Sequence, residues 1–157
     1  MWCKTIHLVS NRTLGSGKIW RFLCFTKAVA VAGWKIWLFW EDDLALQFQE
    51  VGDQLVHMEV VWSGSAFQIS AVYAKCTRVG RCQLWEAMEA VAARSHGPWL
   101  VAGNFNIISN ATERSGGAPP NPRNMVEFNK AVFNCGLSDM GFEGSQFIWT
   151  NGVVWQR

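Results

Sequence analysis

The fold is decided by residues 54–73, which read QLVHMEVVWSGSAFQISAVY. From Gln54 to Trp62, Leu55, His57, Glu59 and Val61 alternate with Val56, Met58 and Val60, and this period of two indicates a β-strand. Gly64-Ser65 indicates a hairpin turn, and Ala66–Tyr73 follows as a second strand. With the aromatic and branched run that precedes them, these segments predict an antiparallel meander over residues 33–73.

The hydrophobic period changes after this meander. Within residues 83–95, Leu84, Met88 and Val91 fall on one face of a helix. A short continuous apolar run, residues 99–102, follows and predicts a central strand that is covered on both faces. Strands that alternate with helices in this way predict a fold of the α/β class.

Turn and capping residues divide the last part of the chain. Asn121-Pro122 is typical of a helix start, and Gly136 is a suitable residue just beyond the helix end. Residues 137–140 and 147–150 then predict strands, and Asn151-Gly152 predicts a hairpin turn after the second of them.

Composition excludes several classes of protein. Of 157 residues, 50% are hydrophobic and 17% charged, which excludes an intrinsically disordered chain. A net charge of +2 is too balanced to favour nucleic acid, membranes or acidic substrates. The sequence shows no signal peptide and no transmembrane segment, so we expect a nuclear or cytoplasmic protein without a membrane partner. Five cysteines without a Cys-x-x-Cys pair predict reduced, buried thiols.

Two asparagines follow the short apolar strand. Strand alternation predicts that the side chains of Asn104 and Asn106 point the same way, at the edge where α/β sheets build their sites. The two amides are suited to hold a phosphate oxygen, a water or a metal-bound water. Alternatively, they satisfy the backbone of their own loop.

Two further groups of titratable residues have competing interpretations. His57 lies in a strand pattern and is expected to be a packed or an edge residue. Glu41, Asp42 and Asp43 resemble a metal-binding cluster, but they end a strand, which favours a solvated turn over a metal site.

Five segments carry a family resemblance. In order, they are GWKIWLFWEDD (33–43), ISAVYAK (69–75), GPWLVAGNFN (97–106), ERSGG (113–117) and FIWTNG (147–152). Together they resemble the endonuclease/exonuclease/phosphatase superfamily, most closely the endonuclease domain of plant LINE-type (non-LTR) retrotransposons. The resemblance covers residues 33–157, while residues 1–32 match little. It implies a two-sheet α/β sandwich of the DNase I-like type, truncated at both ends.

The resemblance also implies an activity, which is the Mg²⁺-dependent hydrolysis of phosphodiesters that nicks DNA. By this resemblance, Tyr73 contacts the phosphate and Asn106 helps to hold the phosphate or the transition state. Asn104 stands where the family has the aspartate that deprotonates the attacking water. An amide cannot accept that proton at neutral pH, and the loss of general-base catalysis costs about 10²–10⁴-fold in rate. Residues 1–32 contain no Asp or Glu that could supply the family's upstream metal ligand.

These departures favour a catalytically impaired or dead fragment derived from a retrotransposon. The alternatives are a non-catalytic nucleic-acid-binding or interaction module, and a phosphatase acting on a small phosphoester. DNA is the partner that the resemblance implies, and Mg²⁺ is the implied cofactor. Four basic residues near the expected site edge either contact a nucleic-acid backbone or belong to a solvated surface; they are Lys75, Arg78, Arg81 and Arg114.

Overall fold

The computed structural model describes residues 7–10, 26–33, 35–141, 144, 147 and 149–156. The chain divides into two compact units. The first comprises Met1–Lys75 and Arg94–Phe105, and the second comprises Cys76–Ala93 and Asn106–Arg157. The boundary between residues 1–32 and 33–157 follows the family resemblance rather than compactness, and it stays a prediction.

The first unit contains two β-sheets. Its described strands are β1 (His7–Ser10), β2 (Lys27–Val31), β3 (Ile36–Trp40), β4 (Ala45–Val51), β5 (Leu55–Trp62), β6 (Ser65–Tyr73) and β7 (Trp99–Asn104). One sheet has the order β1-β3-β2 and is antiparallel. The other has the order β4-β5-β6-β7, in which β6 and β7 are parallel and the other pairs are antiparallel.

The hydrophobic core of the first unit lies between these sheets. Ile36 and Leu38 of β3 cluster with Met58 of β5 and Ile69 of β6, and all four are buried. Met58 and Ile69 are also direct partners across the β5–β6 ladder. Full burial of one such side chain contributes about 1.5–3 kcal/mol. One apolar layer therefore holds the two sheets together.

Strand β3 corrects the predicted meander. The strands β4, β5 and β6 form it as expected, but β3 pairs with β1 and β2 in the other sheet. The chain changes sheets in the turn after Trp40, so that β3 packs across the core from β5. Asp42 and Asp43 are exposed in this turn, which confirms the solvated-turn interpretation.

The predicted hairpin between β5 and β6 is present, but its turn lies one residue earlier than Gly64-Ser65, because Ser65 already belongs to β6. Trp62 pairs with Ser65, which leaves Ser63 and Gly64 as the two turn residues. Their φ angles are 50° and 79°, and a type I′ turn requires positive φ at both positions. This turn fixes the register of the whole β5–β6 pair.

Strand β7 differs from its prediction as a central, doubly covered strand. Among the described strands it pairs only with β6 and lies at the edge of the sheet. Its residues are half-buried or exposed, and Leu100 is 42% exposed. A continuous apolar run indicates burial of side chains, but it does not identify which strands lie beside it.

Two helices belong to the part of the chain that the structure describes: α1 (Arg78–Arg94) and α2 (Pro122–Asn134). Helix α1 begins earlier than predicted, because the Thr77 hydroxyl accepts a hydrogen bond of 3.2 Å from the Gly80 N–H and caps its first turn. Helix α2 has the predicted limits. The Asn121 side chain accepts from the Arg123 N–H at 2.9 Å, and Gly136 has a φ of 65°.

The segment after α2 corrects a second prediction. Residues 137–140 are not a strand. Instead, the Leu137 N–H donates to Val132 O at 3.0 Å and the Gly136 N–H donates to Phe133 O at 2.9 Å. These two bonds form a Schellman motif, which uses Leu137 to end the helix.

A small sheet completes the described part of the second unit. A 3-10 helix at Ala111–Glu113 precedes its strands, which are β8 (Arg114–Ser115), β9 (Trp149–Thr150) and β10 (Trp155–Gln156), in the order β8-β10-β9. Strands β9 and β10 form the predicted hairpin, although its loop has four residues. The Asn151 carboxamide oxygen accepts from the Val153 and Val154 N–H groups at 3.1 and 2.8 Å and fixes this loop.

These elements confirm the predicted α/β class, since a four-stranded mixed sheet occurs with two α-helices among the described residues. No helix in the described ranges is both long and apolar enough to cross a lipid bilayer.

A buried polar network lies in the four-stranded sheet. His57 of β5 and Ser70 of β6 are cross-strand partners, and both are fully buried. His57 Nδ1 lies 2.9 Å from Ser70 Oγ, which also accepts a hydrogen bond of 2.9 Å from Trp99 Nε1. His57 is therefore the packed histidine that its strand pattern suggested, not an edge residue.

This burial makes the stability of the fold depend on pH. Desolvation lowers the pKa of His57 and the positive charge of Arg94 lowers it further, while Glu50 acts in the opposite direction. In the unfolded chain, His57 binds a proton near the ordinary pKa of about 6.5. In the folded chain it binds the proton only at a lower pH. The contribution of neutral His57 to the free energy of unfolding is therefore fully present above about pH 6.5 and is lost as the pH falls below it.

We predict that the free energy of unfolding, measured by urea denaturation, decreases from pH 7 to pH 5. The decrease from one proton cannot exceed about 1.4 kcal/mol per pH unit. His57→Asn keeps an acceptor near Nδ1 and should flatten this dependence. His96→Asn, at an exposed histidine, is the matched control and should leave the slope unchanged. An unchanged slope in His57→Asn would contradict the assignment.

Candidate functional site

The carboxyl ends of β6 and β7 bring together two of the predicted site residues. Because the strands are parallel, these ends lie at the same edge of the sheet. Tyr73 is the Cα partner of Asn104, and Val72 is the partner of Gly103. Tyr73 is half-buried and Asn104 is exposed. A phenol and an amide thus stand next to each other at the position where α/β sheets place their ligands.

Backbone hydrogen bonds fix this edge. The Ala74 N–H donates to Asn104 O at 2.8 Å, which continues the pairing beyond Tyr73. Gln54 holds the other side of the same segment, since its backbone O accepts from the Tyr73 N–H at 2.9 Å and its Oε1 accepts from the Lys75 N–H at 2.7 Å. Gln54 is only 5% exposed. Sequence reasoning missed it because no motif distinguishes a buried glutamine in a turn.

Gly103 is required by the backbone. Its φ is 142°, and a Cβ atom built on it would lie 2.0 Å from Val72 O. No side chain fits at that distance. The glycine before Asn104 is therefore explained by the close approach of β7 to β6, independently of any chemistry at the site.

Lys75 lies in a small charged cluster at the surface of the first unit. Its Nζ is 3.0 Å from Asp53 Oδ2, and Lys35 Nζ is 2.9 Å from Asp53 Oδ1. The hydrogen bond from Lys35, and then that from Lys75, lowers the pKa of Asp53. Two lysines share one carboxylate, so the cluster keeps a positive charge.

Asn106 lies in the second unit, and its backbone departs from the strand. Strand β7 ends at Asn104, and the φ of Asn106 is 50°. Asparagine adopts this left-handed conformation more readily than most residues. Strand alternation therefore does not extend to Asn106, and the prediction that both asparagine side chains point the same way loses its basis.

Arg81 is a buried charge in the second unit. It is 3% exposed, and its Nη1 donates to Cys76 O at 2.8 Å and to Asn106 O at 3.4 Å. Desolvation lowers the pKa of this guanidinium, while the negative charge of Glu127 acts in the opposite direction. Arg81 thereby ties the segment before α1 to the segment that contains Asn106.

Arg78 and Arg114 have different surroundings. Arg78 Nε donates to Glu127 Oε2 at 2.7 Å, and this bond raises the pKa of Arg78. Arg114 lies in β8 opposite Gln156, and its Nε is buried without a hydrogen-bond partner among the described residues. Gly116, two residues after it, is required by the backbone, since a Cβ on Gly116 would lie 2.3 Å from Val153 O.

A cavity of about 150 Å³ lies within the second unit. Arg81, Arg114, Asn106 and Asn124 line it, together with Cys76. Cys76 and Cys82 are exposed, which corrects the prediction of buried thiols for these two. Cys135 is buried, and its burial raises the pKa of the thiol to about 11.

The predicted site residues thus fall into two groups. Tyr73 and Asn104 meet in the first unit, whereas Arg81, Asn106 and Arg114 line one cavity in the second. Lys75 and Arg78 each contact a carboxylate. Across the described ranges, no group of three or more His, Cys, Asp or Glu side chains is arranged to hold a metal ion.

Comparison of the chain with models of known protein families gives no match, and comparison with curated protein sequences gives none either.

We predict that Gly103→Ala lowers the free energy of unfolding by about 2–5 kcal/mol, from overpacking and backbone strain together. Gly97→Ala is the matched control, because Gly97 has a φ of 119° but nothing within 4 Å of a built Cβ. The free energy of unfolding of Gly97→Ala should fall only by the cost of backbone strain, about 1–3 kcal/mol. Urea denaturation of both variants measures the difference, and equal losses would show that the contact with Val72 is unimportant.

Proposed function

We propose that this chain is a nucleic-acid-binding module with the DNase I-like fold of the endonuclease/exonuclease/phosphatase superfamily. In this proposal it is similar to the endonuclease domain of plant LINE-type retrotransposons, and its hydrolytic activity is impaired. The observation that carries the proposal is the register of β6 and β7, which places Tyr73 beside Asn104. Two motifs distant in sequence, assigned to one site by the family resemblance, thus lie at one edge.

Binding to a phosphate backbone is supported by the charge at this edge. Lys75 and Lys35 both contact the carboxylate of Asp53, and the backbone of Lys75 is held by Gln54. The half-buried Tyr73 phenol is suited to donate a hydrogen bond to a phosphate oxygen. A lysine that neutralises a phosphate releases condensed counterions, so the affinity for DNA falls as salt rises.

Impaired hydrolysis follows from Asn104. The proposed water-activating position carries an amide, which has no basic lone pair at neutral pH. Mg²⁺ binds chiefly to carboxylate oxygens, and the donors paired at this edge are a phenol and an amide. These donors do not fit a Mg²⁺ site, and no hydrolytic step through a metal follows from them.

We predict salt-dependent retention of duplex DNA by the purified chain. Lys75→Gln should reduce the slope of log affinity against log salt by about 0.9, the value for one phosphate contact. Lys130→Gln, an exposed lysine on α2, is the matched control and should leave the slope unchanged. Absence of DNA retention at about 50 mM salt would contradict the binding function.

Nicking of supercoiled plasmid in Mg²⁺, with an EDTA control, checks the catalytic part separately. We expect no nicking by the unmodified chain, because loss of a general base alone costs about 10²–10⁴-fold. Metal-dependent nicking by the unmodified chain would contradict impaired hydrolysis. Asn104→Asp restores the missing carboxylate. Nicking by this variant alone would identify residue 104 as the main defect, whereas inactivity of both would assign it to the metal ligands.

A further inference from the structure

The cavity of the second unit combines positive charge with hydrogen-bond donors. Arg81 and Arg114 both line it, beside Asn106 and Asn124, and none of the described lining residues is acidic. We propose that this cavity binds a single tetrahedral oxyanion, which is a phosphate ion or the terminal phosphate of a phosphomonoester. The inference does not rest on the proposed function, because it requires neither DNA nor the family resemblance.

Arg81 supplies a fixed positive charge in the cavity wall. Its hydrogen bonds to Cys76 O and Asn106 O hold the guanidinium in place, and its burial keeps water from screening it. Charges interact more strongly where the surroundings have a low effective dielectric constant. An anion that enters the cavity therefore gains more from Arg81 than it would from an arginine at the surface.

Arg114 contributes the second positive charge to the cavity lining. Its Nε is buried and has no hydrogen-bond partner in the part of the chain that the structure describes. That atom is closed off from solvent, so an anion in the cavity would meet the charge of Arg114 rather than this N–H. An oxyanion oxygen is the acceptor that a guanidinium binds most strongly, frequently through two parallel hydrogen bonds.

The start of helix α2 does not carry this inference. Asn121 lines the same cavity and caps the helix. Pro122 has no N–H, however, and the N–H groups of Arg123 and Asn124 already donate to the Asn121 side chain and backbone at 2.9 and 3.1 Å. The helix contributes only its dipole, so the two arginines determine the selectivity for anions.

The volume of the cavity limits the size of the anion that it can hold. A cavity of about 150 Å³ accommodates a benzene-sized molecule, and a phosphate ion is smaller than that. A whole nucleotide is much larger. The phosphate group alone is therefore the part of a ligand that we expect inside, with any attached alcohol remaining outside.

Labelling of Cys76 by iodoacetamide tests the proposal in the unmodified protein. Cys76 is exposed and lines the cavity, whereas Cys82 is exposed but does not line it. Peptide mass spectrometry measures the two labelling rates separately, in sodium phosphate and in sodium chloride of equal ionic strength. We expect phosphate to slow the labelling of Cys76 and leave that of Cys82 unchanged. Equal rates in both salts up to about 50 mM phosphate, or equal slowing of both thiols, would overturn the proposal.

Arg114→Gln then tests the assigned donor. It should raise the phosphate concentration that protects half of Cys76 by about tenfold or more. Arg123→Gln removes the same charge from an exposed arginine outside the cavity lining, and it should have no effect. Equal effects of the two substitutions would overturn the assignment. Circular dichroism verifies that each variant is folded, and if Arg114→Gln is not, the labelling of the unmodified protein decides.

Two sources of the phosphate group are distinguished by a further comparison. An oligonucleotide with a 5′-phosphate and the same oligonucleotide without it are each added in place of free phosphate. Protection of Cys76 by the phosphorylated form alone supports a phosphomonoester ligand. Protection by free phosphate alone supports an ion site, and protection by neither oligonucleotide nor phosphate overturns the proposal. The oligonucleotide without the phosphate is the control for nucleic-acid binding at Lys75, the residue before Cys76 in the sequence, because equal protection by both oligonucleotides would report that binding and would count against a phosphate site in the cavity.

Discussion

The parallel pairing of β6 with β7 is the interaction on which the candidate site depends. The register of this pair sets Tyr73 opposite Asn104. The backbones of the two strands approach so closely at Gly103 that only glycine fits there. Gln54 then fixes the chain just beyond β6 through backbone and side-chain acceptors. The position of the exposed Asn104 amide is therefore determined by contacts between main-chain atoms.

The four basic residues that the sequence groups together have distinct physical roles. Lys75 and Arg78 contact carboxylates near the surface, where water and salt screen an ion pair and it contributes little to stability. Arg81 is buried and connects two backbone segments, so its loss would remove the donor shared by two carbonyl acceptors. Arg114 is fixed by the strand pairing of β8 with β10. Formal charge alone does not distinguish these environments.

The features predicted correctly from sequence have local causes. The β5–β6 hairpin and the limits of α2 follow from turn and capping residues near each boundary. The partners of β3 and the edge position of β7 depend on pairings between distant segments, which hydrophobic periodicity does not encode. Leu137 was predicted to start a strand, but its N–H is used by the helix before it. The direction of Asn106 could not be predicted because a single positive φ interrupts the alternation.

The two compact units are interleaved along the chain, because Arg94–Phe105 of the first lies between Cys76–Ala93 and Asn106–Arg157 of the second. Neither unit is a continuous segment, so no single proteolytic cut releases either one intact. During synthesis, β6 leaves the ribosome before α1, and its partner β7 follows only after that helix. The β6 edge thus stays open for the time needed to make the intervening residues, about one to a few seconds at ribosomal rates. A nascent chain with an unpaired apolar strand edge is at its most prone to aggregation during this interval.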